Sequence, residues 1–148
     1  MDSQKIEIRQ AELEDASDIS TLCRQLGYQT SASEIITRLE KITQLTDHCV
    51  FVACQKNGRI SGWIHVFGTY RVESAPFSEI GGLIVDEIFR KQGIGAKLVH
   101  AAQEWTIHKG FHSLRVRSRV ERESAKKFYL NTGFSLIKEQ SIFEKELP

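Results

Sequence analysis

The six residues Arg90-Lys-Gln-Gly-Ile-Gly95 follow an apolar run, Leu83-Ile-Val85, and open a stretch whose apolar residues recur at helical spacing. A helix start exposes backbone N–H groups with no partner, at the positive end of the helix dipole. Two glycines there let an anion approach the main chain, and Arg90 and Lys91 add positive charge. The chemistry on offer is phosphate binding. Two familiar phosphate motifs are excluded by spacing: neither G-x-x-x-x-G-K-[ST] nor G-x-G-x-x-G occurs. The same glycines would equally serve tight helix packing, so the turn alone decides little.

The elements that must position this turn can be read from periodicity. Lys5–Gln10 alternates as a first strand, and Asp15–Leu26 carries Ile19, Leu22, Cys23 and Leu26 at helical spacing before Gly27. Ser31-Ala-Ser-Glu34 is a capping box opening a second helix with Ile35, Ile36, Leu39 and Ile42 on one stripe. Asn57-Gly58, between two β-rich runs, predicts a hairpin. A strand follows over Glu79–Val85, then a helix from about Ile94 to Lys109 closed by Gly110. Ser113–Val120 reads as a strand and Glu123–Asn131 as a helix with Gly133 behind it. FSLIKE and SIFEKEL read as two short closing strands. The order β-α-α-β-β-β-α-β-α-β-β predicts a single α/β domain over 1–148 with a mixed, mostly antiparallel sheet.

Two longer patterns enclose the turn. Leu83-x-Val85, four residues, then Arg90-x-x-Gly93-x-Gly95 resembles the acetyl-CoA signature of the GNAT N-acetyltransferase superfamily, (Q/R)-x-x-G-x-(G/A) after a strand. Downstream, Arg122-x-x-Ala125-x-x-Phe128-Tyr129-x-x-x-Gly133-Phe134 is similar to that superfamily's second block, (N/R)-x-x-A-x-x-F-Y-x-x-x-G-F. Arg122 stands where many members have Asn, which shifts the implied contact from an amide to a guanidinium. Lys126 stands where a related branch often has His, which leaves any role for it in doubt.

The resemblance implies a fold in which the fourth and fifth strands splay and the pantetheine arm of acetyl-CoA lies between them. Leu83, Ile84 and Val85 would hold that arm through main-chain atoms. The N–H groups of Arg90, Lys91, Gln92, Gly93, Ile94 and Gly95 would hold the pyrophosphate, with Arg122 toward the cofactor phosphates. The implied reaction is direct attack of an amine on the thioester. A free amine near pKa ~10.4 is mostly ammonium at neutral pH and must first lose a proton. Tyr129 holds the position of the acid that protonates the departing thiolate; packing as a core aromatic is its other reading. Glu79 is the candidate base or acceptor-amine ligand, on a strand whose residues 79, 81, 83 and 85 are expected to share one face. Against it, a glutamate at a strand's first residue is often only a solvated end, and many members use water chains instead of a single base. His65 is the runner-up, on a strand where Trp63, His65 and Phe67 share a face; Tyr28 is a candidate acceptor contact.

The expected activity is transfer of acetyl from acetyl-CoA to a primary amine, of a small molecule first. A protein N-terminal or lysine acetyltransferase and a non-catalytic acyl-CoA-binding module are the alternatives. Lys and Arg number 20 against 19 Asp and Glu, so overall charge names no partner. Arg115, Arg117 and Arg119 alternate on the expected fifth strand. Acidic neighbours dilute the row, favouring a solvated or subunit-facing surface or an acidic acceptor over nucleic acid. No apolar run reaches the roughly 20 residues of a membrane span, and the polar start has no secretory apolar stretch, so a cytoplasmic location is expected. Cys23, Cys49 and Cys54 read as small core hydrophobes, and no Cys or His spacing suggests a metal. The sheet edges leave a homodimer open.

Overall fold

The computed structural model describes residues 5–148. The chain divides into two compact units, the first ending at Val116 and the second spanning Arg117–Pro148.

The first unit runs β1 (Glu7–Gln10), α1 (Ala16–Gln25), α2 (Ala32–Thr43), β2 (His48–Cys54), β3 (Ile60–Thr69), β4 (Phe77–Val85), α3 (Ile94–His108) and β5 (Leu114–Val116). The strands form one sheet in the order β1-β2-β3-β4-β5. Neighbours are antiparallel except β4 and β5, which are parallel and joined through α3. The mixed, mostly antiparallel sheet is therefore as expected.

Local chemistry explains most element ends. Ser31 and Glu34 cap α2 reciprocally: the Ser31 N–H donates to Glu34 Oε1 at 2.9 Å and the Glu34 N–H to Ser31 Oγ at 3.3 Å. The Asn57-Gly58 turn closes the β2–β3 hairpin, with Gln55 and Arg59 bonded across it at 2.8 Å. Arg9 forks onto Asp15 at 2.8 and 2.9 Å and ties β1 to the start of α1.

Alternation along β3 divides the core. Ile19, Leu22 and Cys23 of α1 and Ile35 and Leu39 of α2 bury against Val52, Ile60 and Ile84, with Trp63 packed beside them. The opposite face belongs to α3: a side chain at Gly62 would meet Leu98 and Ile94, and Ile64 and Val66 on that face are fully buried. Cys23 and Cys49 are buried in these layers and Cys54 is half-buried, all with free thiols.

Three expectations need correction. The β3–β4 register steps from His65↔Gly82 to Val66↔Ile80, so Gly81 is an extra residue, a β-bulge. The bulge inverts the alternation: Glu79 shares its face with Gly82 and Ile84, opposite Phe67, His65 and Trp63, and not with Leu83 and Val85. The fifth strand is only Leu114–Val116, short of the expected Val120. Its ladder ends at Ile80↔Val116, immediately before the bulge bends β4 away.

The second unit contains α4 (Glu123–Asn131), followed by Gly133 at φ 99°. The third correction is here. Residues 135–148 form no strand and are exposed. FSLIKE and SIFEKEL carry strand-forming residues, but Gln140 alone separates them, too little for a two-residue hairpin turn, and an isolated two-stranded ribbon is marginal in water.

Candidate active site

The turn singled out in the sequence lies between β4 and α3, and its backbone is shaped for an anion. Lys91 takes a left-handed φ of 64°, a conformation costing a non-glycine residue roughly 1–2 kcal/mol. Gly93, the residue before α3, is also left-handed, at φ 81°, and open space surrounds the position a Cβ would fill. No side chain caps α3 and no acidic residue stands in its first turn. The first backbone N–H in that turn to find a helical carbonyl is that of Lys97, on Gly93, at 3.1 Å. The N–H groups before it are thus presented outward at a helix start.

A buried carboxylate braces this turn. Asp86, 3 % exposed, accepts from the Ile88 N–H at 3.2 Å, Gln25 Nε2 at 3.1 Å and Arg59 Nη2 at 2.9 Å. Gln25 returns the contact, its Oε1 accepting from the Glu87 N–H at 3.1 Å. Burial opposes ionisation of Asp86, but the bonds from Gln25, Ile88 and Arg59 outweigh it and hold the carboxyl below its usual range. The end of α1, the hairpin and the tight turn Glu87–Phe89 that leads into the phosphate turn thus meet on one side chain. Asp86 was not singled out in the sequence; an Asp at a strand end, two residues before an N–H it can cap, was the available signal.

Beside the turn, β4 offers an edge. After Ile80, residues Gly81–Val85 pair with β3 alone among the described residues. Leu83, Ile84 and Val85, the expected main-chain contacts, all lie on this segment. Ile84 is also core, its side chain buried against α1 and α2.

On the face of β3 and β4 away from α3, polar side chains gather. Glu79 is 7 % exposed, and Thr69 Oγ1 donates to its Oε1 at 2.9 Å. His65 Nε2 lies 3.0 Å from His48 Nδ1, and the His48 ring stacks on Phe67 at 5.2 Å. Burial, with His48 adding to it, drives the His65 pKa down to about 4, so this imidazole is neutral near pH 7. Two glycines allow the rings to close on β4. A Cβ at Gly82 would stand 2.8 Å from the Trp63 indole, and one at Gly81 would stand 2.8 Å from Phe67 and 3.3 Å from His65. The Gly-Gly pair inside a strand pattern was the unread signal for this close approach.

Glu79 and His65 are therefore brought to one face, joined by Thr69 and His48, which sequence reasoning missed because only the strand register reveals them. Tyr28 is 56 % exposed in the α1–α2 connection, where its N–H bonds Cys23 O at 3.2 Å. In the second unit, Arg122 precedes α4 and its carbonyl accepts from the Lys126 N–H at 3.1 Å. Tyr129, half-buried on α4, meets Phe128 and Phe134 edge-on at 5.2 and 5.6 Å. Burial pushes its phenol pKa up, so the proton is retained at neutral pH.

Residues 13–134 match the model of the Acetyltransferase (GNAT) family. The chain belongs to that family. Its enzyme class is that of a GNAT N-acetyltransferase. The GNAT chain is 31% identical over 134 residues to an aminoglycoside N(6')-acetyltransferase type 1 of Stenotrophomonas maltophilia, covering 86% of this chain and 84% of the relative. Among solved structures it resembles the aminoglycoside N-acetyltransferase AAC(6')-Iy in complex with CoA, at TM-score 0.86 and 22% identity over 97% of each chain. It also resembles glucosamine-6-phosphate N-acetyltransferase from Arabidopsis thaliana, at TM-score 0.85 and 23% identity, over 97% of this chain and 100% of the other. Both likenesses match the five-stranded GNAT fold with its single parallel pair. Among the described residues no helix is long and apolar enough to cross a membrane.

Proposed function

We propose that this GNAT enzyme acetylates a primary amine of a small molecule by direct attack in a ternary complex. The observation that carries the reading is the parting of β4 from β5 after Ile80, next to an uncapped helix start. Acetyl-CoA would supply an acetyl group already activated as a thioester. The main chain of Leu83, Ile84 and Val85 holds its pantetheine arm as an added strand would be held. The outward N–H groups of Lys91, Gln92, Gly93, Ile94 and Gly95 take the pyrophosphate; the N–H of Arg90 is already bonded to the Glu87 carbonyl at 3.4 Å, so Arg90 contributes its charge, with Arg122 toward the cofactor phosphates.

Glu79 takes a proton from the incoming ammonium, directly or through water, and Thr69 fixes the carboxylate for that step. Tyr129 donates a proton to the departing sulfur; its raised pKa keeps that proton available. His65 lines the acceptor side as a neutral ring, since a base with a pKa of about 4 is a poor proton acceptor at neutral pH. Tyr28, exposed on the α1–α2 connection, is assigned to the acceptor's outer end. The named acceptors of the relatives, an aminoglycoside and glucosamine-6-phosphate, support a small-molecule amine. The whole chain is taken as one catalytic domain working in the cytoplasm, with pairing of two copies as its assembly.

The test is thiol release from acetyl-CoA across a panel of amino sugars, amino acids, polyamines and peptides. Turnover confined to small amines supports the reading, and turnover confined to peptides replaces it with a protein acetyltransferase. Binding of acetyl-CoA without turnover leaves only a sensor.

A further inference from the structure

Two cations stand on the acceptor side without an acidic partner. Phe77, 1 % exposed, begins β4 two residues before Glu79, and both side chains lie on the face away from α3. The Arg115 guanidinium carbon sits 3.8 Å from the centroid of the Phe77 ring, and that of Arg71 sits 5.3 Å from it. They come from different elements, Arg115 from β5 and Arg71 from the β3–β4 connection. Arg115 is moreover the register partner of Glu79 across the parallel ladder, so it shares that residue's face. Both arginines are half-buried, and neither forms an ion pair or a hydrogen bond among the described residues.

Covering one phenyl ring needs one guanidinium. A second brings a like charge close to the first, a repulsion that an anion between or beside them would relieve. Stacked guanidinium groups keep their N–H edges free, in the fork geometry that fits a carboxylate or a phosphate. On this face Glu79 of β4 offers a single carboxylate, bonded by Thr69, beside two cations, and His65 of β3, bonded to His48, is neutral. A polycation such as an aminoglycoside would meet two positive charges here.

Resting on the proposed acetyl transfer at Glu79, we infer that Arg71 and Arg115 form an oxyanion subsite and that the acceptor is an amine carrying a carboxylate or a phosphate. The chain then differs in acceptor chemistry from the aminoglycoside-modifying relative it resembles. Of the arginine row in the sequence, Arg115 lies on β5 and shares this face.

The experiment compares matched acceptors in the intact enzyme: an amino acid against its amide, glucosamine 6-phosphate against glucosamine, and an aminoglycoside. The anionic member of at least one pair is expected to have at least about tenfold higher kcat/KM, as for a charge-assisted bond; which pair responds identifies carboxylate or phosphate. Arg71→Gln and Arg115→Gln should each erase that preference by raising KM for the anionic member, while the neutral member and acetyl-CoA affinity change less than about twofold. Arg115→Lys keeps the charge but loses the fork, and should recover part of the preference. Equal or better turnover of the neutral or polycationic amine overturns the subsite and leaves acetyl transfer standing. So does a loss of acetyl-CoA affinity in the variants, which would assign the arginines to the cofactor. No turnover of any amine by protein that binds acetyl-CoA overturns both readings.

Discussion

Thr69 reaches diagonally across the β3–β4 ladder and donates its hydroxyl proton to Glu79 at 2.9 Å. The bond fixes one carboxylate oxygen of a buried acid on the face where an amine would be deprotonated. Thr69→Val keeps the shape and removes the donor. It should lower kcat on any amine acceptor by about three- to tenfold, the worth of one hydrogen bond, and leave acetyl-CoA affinity unchanged. Glu79→Gln should displace the rising limb of the pH–rate profile. An unmoved limb would retire Glu79 as base.

His65 makes stability depend on acid. Its folded pKa of about 4 lies below the value of 6.5 for a free imidazole. Above pH 6.5 the ring is neutral in both states and contributes nothing. Between 6.5 and 4 the unfolded chain binds the extra proton, so stability falls as pH falls, by on the order of 3 kcal/mol in all. Urea unfolding at pH 7.5, 6.0 and 4.5 should reveal this slope, and His65→Gln should flatten it. An unchanged slope in the variant would place the acid sensitivity elsewhere.

Gly82 and Gly81 are needed for closeness. A methyl at Gly82 would stand 2.8 Å from the Trp63 ring, itself half-buried against the α1–α2 core. Gly82→Ala should cost about 1–3 kcal/mol through overpacking. Gly81→Ala should in addition slow turnover, since it pushes Phe67 and His65 on the acceptor face. Equilibrium denaturation and kcat measured on both variants separate the two effects.

Asp86 couples the hairpin and α1 to the phosphate turn. Asp86→Asn keeps the size but weakens the bond from Arg59 and the cap at Ile88. Its KM for acetyl-CoA should rise about fivefold or more, with kcat at saturating cofactor nearly kept. Because the native carboxyl titrates below its usual range, its stabilising contribution is present above the unfolded value of roughly 3.9 and is lost as pH falls through the lower folded value. Equal losses in kcat and KM would point to general unfolding instead.

Features written in neighbouring residues were legible before the fold. The Ser31/Glu34 cap, the Asn57-Gly58 hairpin and the glycine turn before α3 each depend on a few consecutive side chains, and each stands where the sequence put it. What escaped depends on register. One bulge at Gly81 inverts the face of everything beyond it, so period-two counting from Glu79 pointed at Leu83 and Val85 instead of Gly82 and Ile84. His48 and Thr69 enter the site only because β2 and β4 lie opposite β3. FSLIKE and SIFEKEL read as two short strands, yet a strand needs a ladder partner that local sequence cannot supply.

The open edge of β4 is tested most directly by amide hydrogen exchange with and without saturating acetyl-CoA. Added protection on the amides of 81–85 not bonded to β3, together with those of 91–95, is the expected result. No gain at either segment while the coenzyme is bound, or a gain confined to other strands, would contradict it.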